Sequence, residues 1–243
     1  MSVTVIIPAR YASTRLPAKA LLAETGKPLI QHVVEAARGS KAAQRIVVAT
    51  DDERIAAAVA AFGGEAVMTR VDHLCGTDRI NEAAAKLHLA DDDIIVNVQG
   101  DEPEMQADCV DRLAALLEGS DAPMATLATP LAYEQAGDPN KVKVVLDARG
   151  RALYFSRSPI PFDRDRTGAT PYLLHLGIYA YRVAFLRAFA ALPPTPAEKS
   201  EKLEQLRALE HGYTILVATV PYAGCGIDTP EDYAAFVKRF RRR

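Results

Sequence analysis

Read from its N-terminus, the chain alternates short β-branched apolar runs with alanine-rich amphipathic stretches. The runs predict strands at Val3–Ile7, Arg45–Thr50, about Ala66–Met68 and Ile94–Val98. Helices are expected between them at Pro28–Arg38, Asp52–Phe62 and Thr77–Leu87, the first with a proline in its opening turn. Inside each strand the apolar residues run on without alternating, the pattern of parallel strands covered by helices on both faces. The Gly63-Gly64 pair reads as the cap that ends the second helix. Together these features make a doubly wound α/β pattern.

Past residue 120 the strand-like segments crowd together, at Met124–Thr129, Val142–Asp147, Ala152–Ser156 and Leu173–Tyr181. "DARG" at 147–150 reads as a hairpin turn, so antiparallel pairing is expected here. Helices at Val183–Leu192 and Ser200–Leu209, a strand at Tyr213–Val220 and a helix from Thr229 complete the chain. The proline-rich "LPPTPAE" (192–198) reads as a rigid connector. The expectation is a single domain built on a mixed, mostly parallel sheet flanked by helices. A smaller β-rich part, about 121–209, is inserted into a core made of about 1–120 and 210–243.

Composition narrows the function classes. A chain of 243 residues with half its residues apolar suits one soluble domain. Its net charge of −2 gives no global positive field, which argues against nucleic acid. The basic "KRFRRR" end reads as a solvated helix terminus. Cys75, Cys109 and Cys225 are widely spaced and odd in number, neither a disulfide framework nor a zinc pattern, and suit a reducing cytoplasm. The N-terminal apolar run of five residues is too short for a signal core or a membrane span. A cytoplasmic protein with no membrane partner is expected.

Ligands of open α/β sheets lie beyond the carboxyl ends of the strands. The loop after the first strand, "PARYASTRLPAK", holds Pro8, Arg10, Ser13, Arg15 and Lys19, with no acid and no glycine. Glycine-rich loops bring backbone amides to phosphate; here arginine forks and a lysine point charge replace them. Cations this close repel by roughly 1 kcal/mol per exposed pair, and a triphosphate is the simplest compensation. The plain alternative is a solvent-facing basic loop neutralised from elsewhere.

The fourth strand ends in "VQGDEP", which projects Asp101 at the sheet edge. In "GIDTPED" Thr229 opens a capping box, leaving Asp228 to reach a ligand or to close a local turn. Two such carboxylates suit magnesium, which takes one or two protein carboxylates together with substrate phosphates. "RVDHLCGTDR" supplies Arg70, Gly76 and Thr77 at the start of a helix as a third wall, although Thr77, Asp78 and Arg79 also read as helix-end residues. His32 and His88 read as surface or helix-face residues, and His73 as no metal ligand. In the β-rich half Arg157, His175, Tyr179 and Gln205 interrupt apolar patterns, as a hydroxylated, carboxylated ligand or ordinary structural polarity would require.

Over essentially its whole length the chain resembles the cytidylyltransferases that activate 3-deoxy-manno-octulosonate (KDO), the CMP-KDO synthetases. The resemblance is carried by "IIPARYASTRLPAK", "VATDDERI", "MTRVDHLCGTDR", "VNVQGDEP", "KVKVVLD", "ALYFSRSPIPFDRDR", "LHLGIYAYR", "LEQLR" and "GIDTPEDY". It implies a glycosyltransferase-A-like fold, a homodimer, CTP and a 2-keto-3-deoxy sugar acid as substrates, and Mg2+ on Asp101 and Asp228. It further implies that Arg10, Arg15 and Lys19, helped by Ser13, hold the phosphates, and that Pro8, Arg70, Gly76, Thr77 and Gln99 belong to the CTP site. Arg157, His175, Tyr179, Glu204 and Gln205 would cradle the sugar acid, while Arg10, Lys19, Asp101 and Asp228 carry the catalysis. Related sugar acids, an 8-amino KDO or a nonulosonate, are alternative substrates, and a non-catalytic nucleotide-binding module is the alternative class. This chain departs from the family where "LPAKAL" replaces the usual "LPGKPL", at Ala18 and Ala20, and where Cys75 replaces a serine.

Overall fold

The computed structural model describes residues 1–12, 16–73, 75–221 and 226–242. The parallel half of its sheet comprises β1 (Val3–Ala9), β2 (Arg45–Thr50), β3 (Glu65–Met68) and β4 (Ile94–Asn97). Five more strands join the same sheet: β5 (Met124–Leu131), β6 (Lys143–Leu146), β7 (Ala152–Ser156), β8 (Tyr172–Arg182) and β9 (Ile215–Thr219). The order is β3-β2-β1-β4-β8-β5-β9, with β6 pairing β7 and β8 off this path. Along the path only β8 is reversed, antiparallel to both β4 and β5.

The helices are α1 (Leu29–Ala37), α2 (Glu53–Ala61), α3 (Gly76–Lys86), α4 (Ala107–Glu118), α5 (Val183–Ala191), α6 (Pro196–Glu201), α7 (Gln205–Glu210) and α8 (Pro230–Phe240). On one face of the sheet Ile30 and Val33 of α1 and Val110 and Leu113 of α4 pack on Val5, Ile7 and Val96. On the other, Ile80 of α3, Leu186 of α5 and Leu206 of α7 pack on Ile6 and Ile95. Successive residues of β1 are therefore buried on opposite faces, which explains the unbroken apolar run. Each fully buried aliphatic side chain of this kind contributes about 1.5–3 kcal/mol. Among the described residues no helix is long and apolar enough to cross a membrane.

Several local features differ from the sequence expectation. β1 does not stop before Pro8 but continues to Ala9, paired with β2 alone after the last β1–β4 pair, Ile6 with Asn97. A proline is tolerated where only one neighbour remains. The helix expected over Ser200–Leu209 is two short helices, α6 and α7, separated at Lys202, whose φ of 55° cannot continue a right-handed helix. Part of the expected rigid connector is helical too, because Pro196 sits in the first turn of α6 and Glu198 accepts the Thr195 N–H at 3.2 Å. Of the two readings of His32, surface or helix face, the second holds: it lies in α1, buried, edge-on to Phe236 and Phe240 and 2.7 Å from Thr25 Oγ1. The Gly63 cap and the 147–150 hairpin form, with φ of 70° at Gly63 and 75° at Gly150.

Candidate active site

A cavity of about 310 Å³ opens beyond the carboxyl ends of β1 and β4. It brings together Pro8, Arg10, Lys19, Gly76, Gln99, Asp101 and Asp228, residues from four separated segments. The close approach of two of these segments depends on Gly100. A Cβ there would lie 2.7 Å from the Pro8 carbonyl oxygen, so only glycine lets the "QGD" turn rest against the end of β1.

Lys19 is the centre of the site. Its Nζ donates to Asp101 Oδ2 at 2.7 Å, to the Ile227 carbonyl at 2.7 Å and to Asp228 Oδ1 at 3.4 Å. An ammonium therefore already compensates the Asp101 carboxylate at the sheet edge. Local backbone fixes every member of the group. Ile227 N–H donates to the Asp101 carbonyl at 2.9 Å, and Asp228 N–H to Asp232 in the capping box of α8 at 3.1 Å. Leu16 packs with Ile227 and Tyr233 on the way into the turn that carries Lys19. The residue before Lys19, Ala18, stands in the left-handed region at φ 53°, where the glycine usual in the family carries no Cβ penalty. Ala20, in the place of the family's proline, is buried at the cavity wall.

Two carboxylates facing one ammonium keep a net negative charge, which fits a divalent cation. Among the described residues no third His, Cys, Asp or Glu joins them as a metal cluster. That donor set is too sparse for a zinc or calcium cage and suits magnesium completed by substrate phosphates and water. Burial, and then the charge of Asp101, push the neighbouring Glu102 carboxyl up to about 7.

The third wall differs from the sequence reading. Arg70 is exposed, paired with Asp72 and absent from the cavity lining. Arg79 lines the cavity instead; it is 4% exposed and donates to Thr69 Oγ1 at 2.5 Å and Asp51 Oδ2 at 2.8 Å. The signal for Arg79 was its place four residues before the buried Ala83, on the apolar side of α3. His73 also lines the cavity and is held by Glu82. Glu82 further accepts from Arg70 N–H at 2.9 Å and pairs with Lys86 at 2.8 Å. Burial alone would raise the Glu82 carboxyl, but the bonds from Lys86, Arg70 N–H and His73 bring it down to about 2. Cys75 takes the N-cap of α3, its sulfur accepting from Asp78 N–H at 3.4 Å.

Thr77 is buried, and its hydroxyl donates to Glu204 at 2.8 Å. Glu204 and Gln205 stand at the start of α7; Gln205 is buried, and among the described residues its Nε2 has no partner. His175 and Tyr179, on β8, have ring centroids 5.3 Å apart. Thr126 spends its single proton on the carbonyls of Leu176 and Ile178, so it accepts from His175 Nε2–H at 3.0 Å and leaves Nδ1 as an acceptor. Burial depresses the His175 pKa to about 3, keeping the ring neutral. Arg157 Nε donates to the Glu201 carbonyl of α6 at 2.7 Å and its Nη1 to that of Pro139 at 2.8 Å. Ser13, Arg15 and Cys225 lie outside the described residues.

Comparison with known proteins identifies the family. The cytidylyltransferase family model matches residues 4–215. A 3-deoxy-manno-octulosonate cytidylyltransferase of Syntrophobacter fumaroxidans (strain DSM 10017 / MPOB) is 54% identical over 240 residues, 98% of this chain and 96% of that protein. A solved CMP:2-keto-3-deoxy-manno-octonic acid synthetase complexed with CTP is 43% identical, with a TM-score of 0.95 over 100% of this chain and 99% of that one. A cytidylyltransferase structure from Leptospira borgpetersenii serovar Hardjo-bovis (strain JB197) shares the fold at 18% identity, with a TM-score of 0.64 over 100% of this chain and 88% of the other. A cavity that gathers cations and carboxylates at the strand ends, on a chain so closely matched to these proteins, makes this a member of the cytidylyltransferase family and a nucleotidyltransferase enzyme.

Proposed function

We propose that the protein transfers CMP from CTP to the anomeric hydroxyl of KDO, giving CMP-KDO and pyrophosphate. The observation that carries this reading is the Lys19–Asp101–Asp228 group facing Arg10 across one cavity. Lys19 and Arg10 would bind the triphosphate, with Pro8, Gly76, Gln99 and Arg79 bordering the nucleoside. Gln99 is already oriented by the hydrogen bond that its Nε2–H donates to the Gly177 carbonyl at 3.1 Å.

Asp101 and Asp228 would hold Mg2+, which would supply charge neutralisation at the phosphates and lower the pKa of the attacking hydroxyl. Lys19 then exchanges its carboxylate partners for phosphate oxygens. The sugar hydroxyl oxygen forms a bond to the α-phosphorus as the bond to the β-phosphate oxygen breaks. Pyrophosphate leaves with the electron pair, and the hydroxyl proton passes to solvent. The chain's own residues act by holding charge and orienting groups, and no side-chain general base is assigned.

The sugar acid would lie against His175, Tyr179, Glu204 and Gln205, with Arg157 nearby. What supports this is the buried, unpartnered Gln205 Nε2, a donor that costs free energy until a hydroxyl or carboxylate meets it. On this reading about 1–120 and 210–243 form the nucleotide core, and about 121–209 the sugar and dimer part. A homodimer is proposed on the β7 side, where Leu153 is 61% and Phe162 80% exposed. The setting proposed is cytoplasmic, supplying an activated sugar for lipopolysaccharide.

The test is pyrophosphate release with magnesium, each of the four nucleoside triphosphates, and KDO or its 8-amino analogue. Release with CTP and KDO is expected; a preference for the amino sugar would move the substrate assignment and keep the mechanism. No release with any pair would overturn the proposal.

A further inference from the structure

Helix α3 belongs to the nucleotide side of the cavity, and Cys75 and Gly76 at its start form part of the lining. Both side chains that could fix this first turn are held from the other half of the chain, by one carboxylate. Cys75 Sγ donates to Glu204 Oε1 at 3.3 Å, and Thr77 Oγ1 donates to Glu204 Oε2 at 2.8 Å. The donor sense at sulfur is secure, because burial, followed by the Glu204 charge, pushes the Cys75 thiol up to about 12. Thr77 is 4% exposed, so its hydroxyl has no ready exchange for water.

Glu204 is itself anchored. Arg207 stands 3.7 Å from it and is fastened to Glu198 of α6 by two bonds of 2.8 and 2.5 Å. Its charge also reaches Tyr179. One carboxylate therefore takes both side-chain bonds from the opening turn of α3. A negative group at this place is also favoured by the dipole of the eleven-residue α3.

We propose that Glu204 is a positioning residue for the nucleotide, setting the first turn of α3 through Cys75 and Thr77 whether or not a sugar acid is bound. This rests on the reading of the cavity as the CTP site. It differs from a role in sugar recognition alone, which would leave CTP affinity untouched when the sugar is absent.

The experiment is titration of CTP with magnesium, without sugar, into the wild type, Glu204→Gln, Thr77→Val and the double variant. The amide of Glu204→Gln offers one oxygen in place of two, and the expected weakening of CTP binding is about fivefold. Thr77→Val removes the other end of the stronger bond, and the double variant should be no weaker than the worse single by more than about twofold. Thr77→Ser, which keeps the hydroxyl, should recover most of what Thr77→Val loses. CTP binding by Glu204→Gln within about twofold of wild type, or two losses that simply multiply, would overturn the proposal. If Glu204→Gln does not fold, the Thr77 pair decides: equal affinities for the serine and valine variants would overturn it. A wild type that binds no CTP would instead overturn the nucleotide assignment beneath it.

Discussion

Lys19 Nζ lies 2.7 Å from Asp101 Oδ2, and the same nitrogen reaches Asp228 Oδ1 at 3.4 Å. On the proposed magnesium assignment, Lys19 and the metal would compete for the same two carboxylates. In Lys19→Met the two acids lose their internal counter-charge, so the free protein should be less stable and should gain more from magnesium. The expected outcome is a larger magnesium-induced rise in Tm than in the wild type, with pyrophosphate release lost. Asp101→Asn is the complement. It should keep its fold by circular dichroism and lose about a hundredfold or more in activity; wild-type activity would end the metal assignment.

Ala18 precedes this lysine with φ 53° and ψ 28°. A left-handed alanine costs about 1–2 kcal/mol, and glycine would remove that while adding unfolded-state entropy of about 0.5–1 kcal/mol. Ala18→Gly should therefore stabilise the protein by a net of about 0.5–1 kcal/mol, a Tm rise of roughly 1–4 °C in a domain of this size. A fall in Tm on thermal unfolding would show that the local backbone strain has been misjudged.

His175 carries the pH prediction. Its folded pKa is about 3, lowered by burial, whereas in the unfolded chain a histidine titrates near about 6.5. Between these values the unfolded state binds the extra proton, so stability rises with pH across that window. The contribution is complete above the unfolded pKa and is lost as pH falls towards 3. Tm measured from pH 4.5 to 7, on the order of the window these pKa values define, should fall less steeply on the acid side in His175→Gln. Unchanged slopes would mean that the ring is protonated in the fold.

The central strands were legible because they are buried on both faces, as Val5, Ile6 and Ile7 are in β1. Arg45–Thr50 and Ala152–Ser156 form with the bounds that the apolar runs suggest. Helix α4 escaped notice although Cys109, Val110, Leu113, Ala114 and Leu117 recur at helical spacing, because it follows the acidic "GDEPEMQ" stretch without a recognisable side-chain cap. The break at Lys202 had no signal, since a lysine in the left-handed region looks like any other lysine in a helix. At the site, the charged motifs marked Arg10, Lys19, Asp101 and Asp228 as neighbours of a ligand. They did not reveal that Lys19 would bridge the acids, because a pairing across 82 positions depends on the packing of the turn. Arg70 and Arg79 show the same limit: nine residues apart, one turns to Asp72 at the surface and the other to Asp51 inside.

Gly100 offers the most direct test of how the sheet edge builds the site. The Cβ of Gly100→Ala would come within 2.7 Å of the Pro8 carbonyl, a backbone atom near the end of β1 that is still paired with β2. Neither partner can yield as a side chain would, so the turn carrying Asp101 has to move. Destabilisation of about 1–3 kcal/mol is expected, as for other overpacked sites. Displacement by even about 1 Å at Asp101, the carboxylate proposed to hold magnesium, should cost on the order of a hundredfold in turnover. The two effects separate experimentally: the activity loss should persist well below Tm, in protein whose circular dichroism is that of the wild type. Activity near wild type in folded Gly100→Ala would mean that the contact between β1 and the "QGD" turn does not set the position of Asp101.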